Sequence, residues 1–232
     1  MRLVTWNARR GSFACKSVLI EHLEADVAVI QEIAAPESES AQTIWFGNNP
    51  KQGVAVITKG QYTLQRLREL PGVPNFVVPV AVKGPRSFLL FAVWTMGRQP
   101  MRYVEAAATA IDMYAESFTA SPVVMMGDFN SNAIWDKSHP ADLNHTAMVA
   151  RLERLGLVSA YHLSRGIAHG LEPKPEHTFH LYGHEDKSYH IDYCFLPKGW
   201  AENIEQVVIG NYVDWRANSD HRPLIVTVRD ET

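Results

Sequence analysis

Asn7, Glu32, Asp128, Asn130, Asp192, Asp220 and His221 are spread along almost the whole sequence, yet each falls at or within the edge of a strand-like apolar run. The sharpest case is Pro122 to Asn130 (PVVMMGDFN), where a run of β character stops at a glycine and hands over to a carboxylate, an aromatic ring and a carboxamide. Alternation along an extended segment sends Asp128 and Asn130 to one side and Phe129 to the other, while Gly127 is expected to let the backbone turn sharply. A carboxylate so placed accepts a proton or binds a cation, and the carboxamide donates to an anionic oxygen or orients its neighbour. Taken singly, each of the seven is an ordinary strand-exit residue. Together, hard oxygen donors of this kind favour Mg²⁺ or Mn²⁺. A cation beside a base and a histidine suits attack of water on a phosphate ester.

The elements that must position these side chains are legible as periodicities. Arg2 to Trp6 reads as a strand, Phe13 to Glu24 as an amphipathic helix with Ser12 available as its cap, and Asp26 to Glu32 as a second strand. Ala34 to Asn49, rich in Glu, Ser, Ala and Pro, reads as a loop with exposed Trp45 and Phe46. Four strands follow, Gly53 to Thr58, Tyr62 to Leu67, Phe76 to Val82 and Ser87 to Trp94, and their short connections argue for antiparallel neighbours. Trp94 closes a run apolar enough to be buried on both faces, so its ring fills the core rim or walls a site.

One helix is expected over Met101 to Phe118 and another over Leu143 to Leu155, with Gly156 as its stop. Ser164 to Glu176 reads as a loop. Tyr189 to Leu196 is a strand by composition that carries Asp192 in its interior, with His190, Asp192 and Cys194 on one face. Such a carboxylate is costly unless paired or solvated. Its partner is sought in Asp220 and His221, at the entrance of a final strand, because an aspartate with a histidine holds the imidazole in one tautomer. His177, His180, His184 and His190 invite a zinc reading, but their spacing fits neither a Cys-based module nor H-E-x-x-H, and they read as solvated loop residues.

At 232 residues, 46% hydrophobic and 20% charged, the chain can bury a sizeable core, and no linker or compositional shift divides it. One domain over residues 1–232 is expected. Cys15 and Cys194 form no disulfide framework and are expected to stay reduced. With no signal-like N-terminus and no long apolar run, a soluble cytoplasmic protein without membrane contact is expected. A net charge of -3 gives no overall attraction to nucleic acid, while leaving room for a locally basic groove.

Thr5-Trp6-Asn7, Gln31-Glu32, Gly127 to Asn130, His190 to Tyr193 and Ser219 to His221, in that order, resemble the motifs of the endonuclease/exonuclease/phosphatase superfamily, of deoxyribonuclease I type. The match spans residues 5 to 221. The resemblance implies an α/β (α+β) four-layer αββα sandwich, two mixed β-sheets flanked by helices, with the active site at the strand ends. It also implies a divalent-metal-dependent phosphodiesterase, foremost a DNA endonuclease or exonuclease. Alternatives are hydrolysis of a small-molecule or lipid phosphoester, and a non-catalytic metal-binding module of the same fold. Carried over by position, Glu32 is the principal ligand of Mg²⁺ or Mn²⁺, aided by Asn7 and Asp220. Asp128 orients or deprotonates the attacking water, Asn130 holds it and the phosphate, and His221, buttressed by Asp192, stabilises the developing charge. Two positions depart from the pattern. Trp94 stands where many members have a His or Tyr that contacts the phosphate, and Arg9 replaces an acidic residue of many abasic-site endonucleases. Both are carried forward as substrate-binding candidates.

Overall fold

In the computed structural model, which describes residues 1–97 and 101–229, strand alternation sorts the apolar residues into three cores. The first elements are β1 (Arg2–Asn7), α1 (Phe13–His22), β2 (Val27–Ile33), β3 (Thr43–Asn49), β4 (Gln52–Thr58), β5 (Thr63–Arg66), β6 (Val77–Lys83) and β7 (Phe88–Trp94). There follow α2 (Tyr103–Met113), α3 (Ala115–Ala120), β8 (Val123–Asp128), α4 (His145–Arg154), β9 (Leu157–Ser159), α5 (Ala160–Arg165), β10 (Phe179–His180) and β11 (Ser188–Tyr189). The remaining elements are β12 (Asp192–Pro197), β13 (Ile204–Ile209), α6 (Tyr212–Trp215) and β14 (Leu224–Val228).

One mixed sheet has the order β13-β14-β1-β2-β4-β3, the other β5-β6-β7-β8-β12-β9, and β10-β11 is a separate ribbon. Among the described residues only β1–β2 and β7–β8 pair in parallel, each bridged by helix, as a parallel crossover requires. Leu3, Val27, Val29, Leu90, Ala92, Val124 and Met126 face the seam between the sheets. Their alternates on the first sheet, Val4, Trp6, Ala28 and Ile30, pack with Ile20 and Leu23 of α1 and Trp215 of α6. Those on the second, Phe91, Val93, Val123 and Met125, pack with α2, α3 and α4. The result is the expected four-layer sandwich, in which apolar faces on both sides of each sheet are covered. No helix among the described residues is long and apolar enough to cross a membrane.

Several local expectations need correction. Residues 43–49 form β3, paired antiparallel with β4, and Phe46 is buried against the core rather than exposed. Because β4 takes that hairpin partner and β2, the next strand β5 joins the other sheet instead of pairing with β4. The helix expected over Met101 to Phe118 breaks at Tyr114, whose ring packs at a tilt against Phe91 and whose hydroxyl accepts from the Leu70 amide at 3.1 Å. Gly127 makes no turn. It sits inside β8 at φ +152°, where a Cβ would lie 1.9 Å from the Val93 carbonyl oxygen, so the strand can lie against β7 there only without a side chain.

Candidate active site

The seam-facing register of each sheet ends in polar side chains. On β1, Leu3 and Thr5 lead to Asn7; on β8, Val124 and Met126 lead to Asp128. Asn7 and Asp128 are both almost fully buried, and Asn7 Nδ2 donates to Asp128 Oδ2 at 2.9 Å, joining the two sheets. Asp128 is in turn gripped by its neighbour: Asn130 donates its backbone N–H to Oδ1 at 2.9 Å and its Nδ2 to Oδ2 at 3.0 Å. Asn130 adopts φ +47°, a conformation asparagine tolerates, and Nδ2 also donates to the Thr95 carbonyl at 3.0 Å. Phe129 points away into the helix-side core.

Glu32 reaches the site through a bulge. In a straight strand it would share the helix-side face of Ala28 and Ile30, but the β2–β4 register shifts between Gln31 and Ile33, and Ile33 takes that face instead. Glu32, at φ +54°, is the extra residue, swung out to accept from Asn7 Nδ2 at 3.2 Å and Gln52 Nε2 at 3.1 Å. A bulge beside a site re-aims a side chain in this way, at a backbone cost of about 1–3 kcal/mol.

Asp192 opens β12 directly opposite Asp128 on β8, so it is not in a strand interior as the sequence suggested. Its Oδ2 lies 2.9 Å from His221 Nδ1, while Oδ1 is buried with no hydrogen-bond partner among the described residues. Thr178 Oγ1 accepts from the Asp192 and Ile191 amides, each at 3.1 Å, and fixes the strand start. Ser219 holds the other side: its Oγ donates to the Asn7 carbonyl at 2.7 Å and accepts from the His221 amide at 2.9 Å. His221 Nε2 then lies 3.9 Å from Asp128 Oδ2. That is too long for a hydrogen bond, but an oxygen about 2.8 Å from each would bridge them.

Burial pushes the Asp128 carboxyl up to about 7, reinforced by Asp192 and opposed by His221 and the Asn7 hydrogen bond. Burial alone would lower His221, yet the facing carboxylates of Asp192 and Asp128 raise it to about 9. The pair therefore combines a carboxyl that ionises near neutrality with an imidazolium able to donate.

Asp220 and Arg9 flank this group on its rim, their side chains ion-paired to each other at 3.3 Å, with the Arg9 side chain 50% exposed. Trp94 pairs across the sheet with Asp128, packs on Phe76 at 5.1 Å, and belongs to the inter-sheet core. With Phe76, Met96, Asn75 and Gln52 it lines a cavity of about 370 Å³, which reaches Glu32 through Gln52. Gln52, Thr95 and Thr178 were not singled out in the sequence, since nothing in their spacing marks them.

No protein-family model matches the sequence, and a search of curated proteins finds no match. Solved structures do match. A 3′ phosphatase, NExo, from Neisseria bound to product DNA hairpin aligns at 17% identity with a TM-score of 0.71, over 99% of this chain and 100% of that one. The 3′-5′ exonuclease NExo from Neisseria meningitidis gives 18% and 0.70, over 99% and 100%. The endonuclease domain of TRAS1, a telomere-specific non-LTR retrotransposon, gives 16% and 0.66, over 98% and 97%. The chain has the deoxyribonuclease I-like fold. Within this deoxyribonuclease I-like sandwich, Asn7, Glu32, Asp128, Asn130, Asp192 and His221 meet at one end of the inter-sheet seam.

A second polar cluster gathers around Glu172. The four histidines weighed in the sequence do not assemble, and two of them are not solvated: His180 is buried beside Tyr212, and His190 is buried against Tyr161. Nor does His190 share the face of Asp192, because β12 begins only after it. It joins His145, His162, His169 and Glu172 instead. Burial pushes His145 and His190 down to about 4 and His169 to about 2.

Proposed function

We propose that this protein is a divalent-metal-dependent phosphodiesterase acting on nucleic acid, with residues 1–232 as one catalytic domain. The observation that carries this reading is the hydrogen-bonded chain from Glu32 through Asn7 to Asp128, with the Asp192–His221 pair 3.9 Å beyond it.

The donor set suits Mg²⁺ or Mn²⁺. The Glu32 oxygens and Asp128 Oδ2 receive carboxamide N–H groups from Asn7, Gln52 and Asn130, so partial positive charge already stands where a hard cation would. Glu32 would hold the ion. Asn7 joins it if its carboxamide turns over to present Oδ1, now accepting from the Arg9 amide at 2.9 Å. Asp220 joins it only by releasing Arg9. These residues would hold a cation able to polarise a phosphate oxygen and to acidify water.

The protein's own groups supply the remainder. Asp128, ionising near 7, takes the proton of the attacking water, and Asn130 keeps its carboxylate from rotating. His221, cationic on Asp192, donates from Nε2 to a non-bridging oxygen whose charge grows in the transition state. Arg9 offers a rim cation to the flanking phosphate, and Trp94 and Phe76 give a base a stacking wall.

The test is a panel of plasmid, single-stranded and duplex oligonucleotides and RNA with Mg²⁺ or Mn²⁺, against EDTA controls and Asp128→Ala and His221→Ala. Metal-dependent cleavage lost in both variants is expected. Absence of cleavage of every nucleic acid overturns the substrate assignment. The cavity beside Glu32 is also of a size to take a small phosphoester, so sugar, inositol and nucleotide phosphates belong in the same panel. Metal binding without hydrolysis of any ester would leave a binding module.

A further inference from the structure

We infer that His162, His169 and Glu172, with His190 beside them, form a second metal site, a buried Zn²⁺ centre that is structural and separate from the catalytic seam. One ligand atom from each of the first three lies within 4.8 Å of the others. Imidazole nitrogens with one carboxylate are the donors Zn²⁺ takes, whereas Mg²⁺ prefers oxygen and water.

The hydrogen bonds around the cluster have the form of a supporting shell. Ser159 Oγ lies 2.8 Å from His162 Nδ1, leaving Nε2 aimed at Glu172 Oε1 at 2.8 Å. The same carboxylate oxygen accepts from the Gly170 amide at 3.1 Å and Asn132 Nδ2 at 3.2 Å. His169 Nδ1 is held by His145 Nε2 at 2.9 Å, and His145 Nδ1 by Ser131 Oγ at 3.0 Å. Partners of this kind fix the tautomer and direction of ligating rings.

His190 supplies the independent observation. Its Nδ1 lies 3.2 Å from the Glu176 carbonyl, which can only accept, so Nδ1 carries the proton and Nε2 of the neutral ring bears a lone pair. That nitrogen is buried, has no hydrogen-bond partner among the described residues, and belongs to a ring set edge-on to His162 at 5.7 Å between centroids. A bare, buried lone pair on a ring beside His162 is a donor without its acceptor. The His162 and His169 rings are stacked at 3.5 Å, so an ion would spread them apart.

The site would brace the chemistry rather than perform it. Ser131 and Asn132 directly follow Asn130, His190 lies two residues before Asp192, and Tyr193 Oη links the Ser131 and His190 carbonyls at 2.9 and 2.8 Å. An ion there also pins residues 166–173, which contain no helix or strand.

The test uses the full chain, stripped with chelator and titrated with Zn²⁺ and Co²⁺ alone. Expected are one tightly held Zn²⁺, visible d–d bands of tetrahedral Co²⁺, imidazole scattering in X-ray absorption, and a rise in melting temperature. Affinity should fall roughly tenfold or more in His169→Ala and Glu172→Gln. Asp128→Asn should keep the Co²⁺ spectrum, which separates this site from the seam even if no nuclease activity is found. Should the cluster variants fail to fold, the wild-type stoichiometry and absorption spectra decide alone. A chain that binds no stoichiometric Zn²⁺, or loses it in Asp128→Asn while keeping it in His169→Ala, overturns the site.

Discussion

Asp192 Oδ2 and His221 Nδ1 face each other at 2.9 Å across 29 residues of sequence, both buried, in a pair that orients the imidazole and keeps it charged. Replacing Asp192 with Asn keeps the shape and removes the charge. Asp192→Asn should therefore lower the His221 pKa from about 9 and cut kcat by about 10²–10⁴, with a smaller change in KM. Titration of the His221 ring by NMR checks the first part and steady-state rates the second. An unchanged His221 pKa would refute the pairing.

The pH–rate profile should be a bell. Its rising limb reports ionisation of Asp128, at about 7 without metal and lower once a cation neutralises the site. Its falling limb reports loss of the His221 proton near 9. Changing Mg²⁺ concentration should move the first limb and leave the second in place. A profile flat from pH 6 to 10 would exclude both roles.

Metal-free stability should fall as pH rises. Both folded pKa values, Asp128 at about 7 and His221 at about 9, lie above the ordinary values of 3.8 and 6.5, so the native state holds protons the unfolded chain has released. His221 thus contributes stability that is full below about 6.5 and lost through 9, and ionising Asp128 costs stability up to about 7. Below about 6.5 the buried neutral histidines act with opposite sign, so pH 6.5–9 is the window to examine. At pH 8 in EDTA, Asp128→Asn should be more stable than wild type by about 1–3 kcal/mol while being inactive. Urea melts give the stability difference, and a destabilised variant would contradict the burial argument.

Gly127→Ala places a methyl 1.9 Å from the Val93 carbonyl, at a φ of +152°. β8 must pull away from β7 beside Asp128, at a cost of about 3 kcal/mol or more. Thermal melts and the catalytic rate should fall together. A neutral outcome in both would show that the strands can separate there without consequence.

Gln52→Ala removes one of the two carboxamides on Glu32 and opens the cavity wall. The expected result is a weaker apparent Mg²⁺ affinity, by roughly tenfold, with kcat at saturating metal nearly unchanged. A kcat loss at saturating metal would place Gln52 on the substrate instead.

Which faces of the strands are apolar was legible in the sequence through short-range rules, while the four layers and the roles of the site residues were expected from the resemblance to the superfamily. Period-two burial along β1, β2, β7 and β8 sets which faces are apolar, and the same parity carries Asn7 and Asp128 to the seam. Tertiary structure alone decided the remainder. Glu32 by parity belongs to the opposite face, and only the bulge against β4 turns it inward. Asp220 is adjacent to His221 in sequence, yet packing gives the imidazole to Asp192 and Asp220 to Arg9. The histidine cluster draws on α4, α5, the loop after α5 and the residue before Ile191, and no spacing of 145, 162, 169 and 190 announces that they meet. Local periodicity fixes which face a side chain takes; which long-range partner waits there is settled when the sheets and loops close on one another.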